Sequence, residues 1–183
     1  VKDLAGTTAQ SPVELADGLY FLTSAGLDSA SAMEALEAVS KGVAVGLGEQ
    51  GDLAKVAAAA TNAYGSDVVS ASDALDMFGT MVRTGMFESA ELANVLGEQL
   101  GLAANLGISM EELGAMVSTY TRTTGSATAA TTGLSGIMMS FAKITKQQEE
   151  ALDGVGLSVD DVRTSLGEKG LQHTLLMLQD RFK

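Results

Sequence analysis

The segment most suggestive of chemistry is Gly46-Leu47-Gly48-Glu49-Gln50-Gly51, which has the spacing G-x-G-x-x-G. In dinucleotide-binding proteins such glycines let the backbone approach a pyrophosphate at a helix N-terminus. Here the preceding residues continue a helical stripe from Leu36, and no second strand ends in an acidic residue about 20 positions later. Glu49 would also repel a phosphate. We therefore predict a flexible helix-to-helix loop and no cofactor.

Pairs of carboxylates form a second candidate site. The pairs are Glu34 with Glu37, Glu111 with Glu112, Glu149 with Glu150, and Asp160 with Asp161. Two carboxylates can hydrolyse glycosides when one is buried and the other is hydrated. Each pair here lies at a predicted helix start or on a polar face, where interaction with the helix dipole explains most of them. We predict no catalytic carboxylate.

Histidine and cysteine are nearly absent. His173 is the only histidine, and the chain has no cysteine. Zinc sites and catalytic dyads usually need more of these side chains. His173 lies beside the apolar stripe of Leu171, Leu175 and Leu178, so we predict that it is a solvated surface residue. No G-x-S-x-G segment supplies a hydrolase nucleophile. We expect no metal site and no enzymatic activity.

Composition and charge exclude further classes. The 183 residues are 46% hydrophobic and 19% charged, as in a folded globular domain. The net charge of −12 argues against direct binding to nucleic acid or docking on anionic lipid, since both need a basic patch. No strongly apolar run reaches the length of a membrane span, which is about 20 residues. The nearest candidate, residues 126–144, is rich in Thr, Ser and Gly and is predicted to be a buried helix.

Residues that typically begin or end α-helices recur along the whole chain. Ser11-Pro12-Val13-Glu14 and Ser109-Met110-Glu111-Glu112 both have the spacing of a capping box, which begins a helix. Gly26 and Gly107 follow stripes of apolar residues at helical spacing. Each predicts a helix that ends at a glycine in the left-handed backbone conformation. No segment shows the alternation of apolar and polar residues that indicates a β-strand. The sequence predicts an all-α fold of about eight or nine short-to-medium helices.

We predict that residues 1–183 form one domain and that this domain is a fragment of a longer chain. The sequence leaves open a sub-boundary near residues 85–90 and a weak internal duplication. Glu14-Leu15-Ala16 recurs as Glu91-Leu92-Ala93, and Met33-Glu34 recurs at the same offset as Met110-Glu111.

One residue of the first predicted helix indicates an interaction surface. Phe21 shares a helical face with Glu14 and Asp17, opposite Leu15 and Leu19. An apolar ring on a polar face predicts contact with another helix or another subunit. Burial in the core against the last helix is the alternative.

A series of short segments follows in a characteristic order over nearly the whole chain. They are Leu4-Ala5-Gly6-Thr7 leading into Ser11-Pro12-Val13-Glu14-Leu15-Ala16, Leu22-Thr23-Ser24-Ala25-Gly26-Leu27, Ala32-Met33-Glu34-Ala35-Leu36, Asp52-Leu53-Ala54, Ala74-Leu75-Asp76-Met77, Leu106-Gly107-Ile108-Ser109-Met110-Glu111-Glu112-Leu113, the Thr/Gly/Ser/Ala run from Thr123, and Gly156-Leu157-Ser158. In order and spacing they resemble the conserved core region of phage tail tape measure proteins. One departure is Ile144-Thr145-Lys146, where the family usually carries Pro-like breakers.

The resemblance implies a structural and interaction protein. Its parent would be a long, mostly helical protein inside the tail tube, whose length sets tail length during assembly. The implied partners are the tail tube protein, tail assembly chaperones and tail-tip proteins, with a homo-oligomeric parent. The implied location is the tail interior of the virion, and the host cytoplasm during assembly. Some family members carry a peptidoglycan hydrolase elsewhere in the chain.

Two alternatives remain open at this point. The first is a membrane-active helical domain that acts during phage DNA delivery through the apolar segment from Thr128 to Ile144. The second is a fragment of a cell-wall hydrolase, against which the scarcity of histidine and cysteine argues.

Overall fold

The computed structural model describes residues 8, 10–85 and 87–183, and all regular structure in them is α-helical. The nine helices of this part are α1 (Pro12–Ser24), α2 (Ser29–Ala44), α3 (Gln50–Tyr64), α4 (Ala71–Gly85), α5 (Ser89–Asn105), α6 (Met110–Thr124), α7 (Ala127–Ala142), α8 (Lys146–Gly154) and α9 (Val159–Arg181). The predicted all-α fold of eight or nine helices is confirmed. Leu4-Ala5-Gly6-Thr7 and position 86, inside the suggested sub-boundary, lie outside the described residues.

The helices begin where side chains satisfy free backbone N–H groups. At α1 the Ser11 hydroxyl accepts from the Glu14 N–H, and the Ser11 N–H donates to the Glu14 carboxylate over 2.7 Å, as the capping-box spacing predicts. The backbone hydrogen bond from Ser11 lowers the pKa of Glu14. Asp28 caps α2 by accepting from the N–H groups of Ala30 and Ser31.

The second predicted capping box forms only in part. Ser109 accepts from the Glu112 N–H over 3.2 Å, which begins α6. The Glu112 carboxylate does not return to Ser109. It accepts instead from the Gln172 N–H in α9, over 3.0 Å. There the backbone leaves helical geometry at Gly170, whose φ is 81°. Glu112 therefore caps the second half of α9, which the kink leaves without a cap of its own.

Four connections share one backbone conformation. The chain turns through a glycine of positive φ and then an aliphatic residue, whose N–H donates to the carbonyl five positions earlier over 2.9–3.3 Å. The pairs are Gly26-Leu27, Gly46-Leu47, Gly107-Ile108 and Gly156-Leu157. This is the Schellman helix end, in which only glycine reaches the left-handed region cheaply. The predicted helix ends at Gly26 and Gly107 are confirmed.

The core surrounds α3, which packs against α1, α2, α4 and α5. Further along, α4 packs on α6, and α7 packs on both α5 and α6. Alanines form much of the core-facing side of α3, where Ala57 and Ala60 are fully buried. One cluster of buried side chains runs from Leu15 to Leu171 and includes residues on both sides of position 86. The sub-boundary near residues 85–90 stays a prediction.

The C-terminal helices have a smaller cluster of their own. Leu152, Leu157 and Val162 pack together between α8 and the first half of α9. The predicted stripe on the last helix is only partly inward: Leu171 is buried, whereas Leu175 is exposed. The buried positions after the kink at Gly170 are Leu171 and Thr174, so the inward face follows a spacing of three residues and Leu175 lies outside it.

The suggested duplication agrees with some helix starts and not with others. The starts of α1 and α5 are separated by the same offset as the repeated segments, and so are the starts of α3 and α7. The starts of α2 and α6 are further apart, by about one helical turn. Met33 is consequently the fifth residue of α2, while Met110 is the first of α6. That matched pair occupies different helical positions, and the duplication stays a prediction.

A tyrosine ties the end of α3 to the corner between α5 and α6. The Tyr64 hydroxyl donates to the Ile108 carbonyl over 3.0 Å. Burial, with a smaller contribution from the charge of Glu111, raises the pKa of Tyr64 to about 12. The folded state therefore favours the neutral phenol, which keeps this hydrogen bond.

We predict that Gly107→Ala destabilises the chain, whereas Gly101→Ala does not. At Gly107 the φ is 74°, and a Cβ would lie 3.1 Å from the Cα of Gly167. The expected loss in the free energy of unfolding is about 1–3 kcal/mol. A Cβ at Gly101 meets nothing within 4 Å inside α5, so alanine there should add about 0.5–1 kcal/mol. Urea unfolding of both variants checks this, and equal effects would contradict the role given to the corner.

We predict that Tyr64→Phe lowers stability at neutral pH by about 1 kcal/mol, because the Ile108 carbonyl loses its donor. Because the folded-state pKa is raised, the stabilisation from the Tyr64 proton is complete below the unfolded pKa of about 10. It is lost as pH rises from there through about 12. The difference in unfolding free energy between wild type and variant should therefore shrink at high pH. A difference independent of pH would refute this account.

Candidate interaction surface

The three residues predicted as an interaction surface all lie on α1. Its inner side is formed by Leu15 and Leu22, both fully buried. Glu14 and Asp17 are exposed, and Phe21 keeps 38% of its surface accessible. Phe21 is not a member of either core cluster, so the alternative of core burial against the last helix is wrong.

Two more apolar residues of α1 face outward, and the sequence reasoning missed them. Val13 is 69% exposed and Tyr20 is 75% exposed. They are separated by about two helical turns, so they lie on one face, away from Leu15 and Leu22. The spacing of Val13 and Tyr20 in the sequence could have revealed this outward apolar face. With Phe21, they give the outer side of α1 three apolar side chains among acidic neighbours.

Two of the predicted residues also line a cleft, which we call the α1–α3 cleft. Its volume is about 400 Å³. The lining comes from α1 and the segment before it, the end of α2, and the start of α3 with the residue before it: Gln10, Glu14, Asp17, Ser40, Val43, Ala44, Glu49 and Gln50. The structure thus joins Glu14 and Asp17 to Glu49, which the sequence analysis considered only as an obstacle to phosphate. Phe21 is not part of the lining.

Glutamine side chains hold this cleft together. The Gln50 amide donates to the Glu14 carbonyl, and the Gln10 amide donates to the Gln50 side-chain oxygen. A Cβ at Gly18 would lie only 2.3 Å from Nε2 of Gln50, so the glycine gives the amide room. These contacts tie α1 to the first residue of α3.

The G-x-G-x-x-G segment is the corner that leads into this cleft. It joins α2 to α3, as the helix-to-helix interpretation predicted. Two hydrogen bonds fix its position in the structure: the Leu47 N–H donates to the Gly42 carbonyl, and the Leu47 carbonyl accepts from the Ser89 hydroxyl of α5. The backbone N–H and carbonyl of Leu47 therefore both form hydrogen bonds that hold the corner.

A second open groove runs between α4 and α6, with a volume of about 520 Å³. Its apolar lining includes Met77, Met81 and Met110. Met81 fits against Gly114, where a Cβ would lie 2.7 Å from the Met81 methyl carbon. The groove is therefore a shallow, mostly apolar surface between two closely packed helices.

Comparison with known proteins identifies the class. Residues 1–183 match the family described as phage-related minor tail protein. The chain belongs to the phage-related minor tail protein family. The predicted phage tail protein is thereby confirmed at this level, and a tail protein is a component of the virion. Neither the curated proteins nor the solved structures contain a match. The family match gives no support to the membrane-active alternative.

The histidine of this phage tail protein lies near other polar side chains of α9. His173 is exposed, as predicted, and its Nδ1 lies 3.4 Å from the Ser165 hydroxyl. Ser165 is buried, and its hydroxyl also bonds the Thr174 hydroxyl over 2.9 Å, which links the two halves of α9 across Gly170. Among the described residues, no three His, Asp or Glu side chains lie close enough to hold a metal ion. No helix in the same part of the chain is long and apolar enough to cross a membrane.

We predict that Val13→Ser with Tyr20→Ser changes the free energy of unfolding by less than about 0.5 kcal/mol, because both side chains already face solvent. The matched control Leu15→Ala, on the buried side of α1, should cost about 2–5 kcal/mol. Thermal and urea unfolding of the three proteins measure this. A large loss in the double variant would mean that the outer side of α1 packs within this chain.

Proposed function

We propose that this chain is a structural and interaction segment of a tail tape measure protein, which supports tail assembly and tail-length determination, and that it is not an enzyme. The observation that carries the proposal is the family match over residues 1–183, which makes the chain a phage tail protein. The order of short segments, which resembles the tape measure core region, supports the more specific proposal of a tape measure protein.

The fold is compatible with this role. Nearly every described segment belongs to a helix, and the helices pack through alanine and glycine into a continuous core. Outside the core lie several open clefts, among them the α1–α3 cleft and the groove between α4 and α6. These clefts and the apolar side of α1 offer surfaces for contact with other chains. A closely packed helical body with exposed clefts suits an assembly module.

The proposed partners are the tail tube protein, tail assembly chaperones and tail-tip proteins, with a homo-oligomeric parent and no direct contact to nucleic acid. The net charge of −12 supports basic partner surfaces. It also suits a chain that leaves the tail ahead of like-charged DNA. We propose the tail interior as the location in the virion, and the host cytoplasm as the site of assembly.

We predict that deleting a helical stretch from the parent gene, outside this segment, shortens the tail in proportion. An extended helix spans about 1.5 Å per residue, so a deletion of about 60 residues should remove about 90 Å. Electron microscopy of purified virions measures tail length. The matched control is an in-frame insertion of equal length at the same place, which should lengthen the tail equally.

Proportional change in both directions would make this segment an assembly or anchoring module within a ruler protein. Unchanged tail length in virions that still form would remove the tape measure assignment. The chain would remain a phage tail protein, because the family match does not depend on that result.

A further inference from the structure

The α1–α3 cleft carries negative charge that nothing in the described chain neutralises. Glu14, Asp17 and Glu49 line it, and none of the described lining residues is basic. Glu14 is partly engaged by the Ser11 N–H. No described residue forms a hydrogen bond or ion pair with the carboxylate of Asp17 or Glu49. Like charges that share one cleft repel each other, so this arrangement favours a bound cation.

The cleft also holds two acceptor oxygens without donors. Ser40 is 1% exposed, and its hydroxyl has no partner among the described residues. The side-chain oxygen of Gln10 is likewise buried and unpartnered, because its amide nitrogen is the atom that contacts Gln50. Buried polar atoms are nearly always hydrogen-bonded, so each such exception in a native fold needs an explanation. Both oxygens lie in residues that line the acidic cleft, and both call for a donor.

We propose that the α1–α3 cleft binds an arginine side chain presented by a partner protein. The ligand must be positive and must bring several hydrogen-bond donors to oxygens on three different helices or their flanks. A guanidinium carries five N–H donors in a planar fork, whereas an ammonium carries three on a single atom. A coordinated metal ion fits less well, since no three acidic side chains of the described residues converge on one point.

The position of Glu49 supports the same ligand. Glu49 is the N-cap residue of α3, yet its side chain makes no capping hydrogen bond. The N-terminal capping position favours short side chains such as Ser, Thr, Asp and Asn. A longer carboxylate that leaves the cap unfilled is available to the cleft instead, opposite Asp17 on α1.

Entry of the ligand requires a local adjustment. The unpartnered oxygens of Ser40 and Gln10 are shielded from water, so a donor reaches them only when a neighbouring side chain moves. Gln10 and Gln50 have unbranched side chains that rotate about three bonds, and their contacts close this side of the cleft. Rotation of the Gln10 side chain would release its amide from Gln50 and let its oxygen accept from the guanidinium.

The test is an NMR titration of the ¹⁵N-labelled 183-residue chain with the capped peptide acetyl-Gly-Arg-Gly-amide at low ionic strength. We expect saturable shifts centred on the amides of Asp17, Ser40 and Glu49. The citrulline peptide, which has nearly the same shape without the charge, should bind at least about tenfold more weakly. Equal binding of the two, or no saturable shift with the arginine peptide, would overturn the proposal. Tighter binding of the lysine peptide would overturn arginine as the ligand.

Variants locate the site. Asp17→Asn together with Glu49→Gln should weaken arginine-peptide binding at least about tenfold. The matched control, Glu150→Gln with Asp153→Asn, makes the same charge change on exposed residues of α8 and should leave binding unchanged. Equal weakening by both pairs would show that only net charge matters, which contradicts a defined cleft. The titration uses this chain alone, so its failure and a failure of the tail-length experiment are independent.

Ser40→Ala separates a binding hydroxyl from a merely buried one. Because the hydroxyl has no partner among the residues that the structure describes, its removal should leave the melting temperature unchanged or raise it. The same variant should bind the arginine peptide more weakly. Circular dichroism verifies that the fold is kept. Unchanged affinity in a folded Ser40→Ala variant would remove the buried hydroxyl from the site, and with it the basis for the proposal.

Discussion

The packing of this chain depends on how its helices end. At four corners a glycine of positive φ closes the last turn, and the next residue, Leu or Ile, is directed inward. The corner therefore does two things at once: it satisfies the free carbonyls of one helix and places an apolar side chain beside the next. Leu47 shows the consequence, because it reaches α4 at Gly79, where a Cβ would lie 3.3 Å from its methyl carbon.

Close packing of this kind determines where binding can occur. Alanine and glycine bring the helix axes near each other, and few large side chains are left to enclose an internal chamber. The open spaces consequently lie at the edges of helix pairs, such as the groove beside Met81 and Gly114. The surfaces that this phage tail protein presents to its surroundings are therefore clefts and exposed helix faces.

Local signals predicted the fold well, and non-local contacts limited the rest. The capping box at Ser11 and the helix end at Gly107 each depend on residues within one turn, so sequence alone revealed them. The same spacing at Ser109 misled, because the Glu112 carboxylate bonds Gln172, which is far away along the chain. The α1–α3 cleft was hidden for the same reason. Asp17 and Glu49 lie on different elements, and a partnerless hydroxyl in a helix has no signature in sequence.

Two sets of acidic residues in this chain differ in what their charge does. Glu14, Asp28 and Asp161 accept backbone hydrogen bonds at helix starts, and each has a lowered pKa for that reason. Their contribution to stability is present above their unfolded pKa and is lost as pH falls through the lower folded value. Asp17 and Glu49 have no such partner among the described residues, so helix capping does not explain their charge. In our proposal, an arginine from a partner protein pairs with these carboxylates and donates to the buried Ser40 hydroxyl, which has no partner among the described residues.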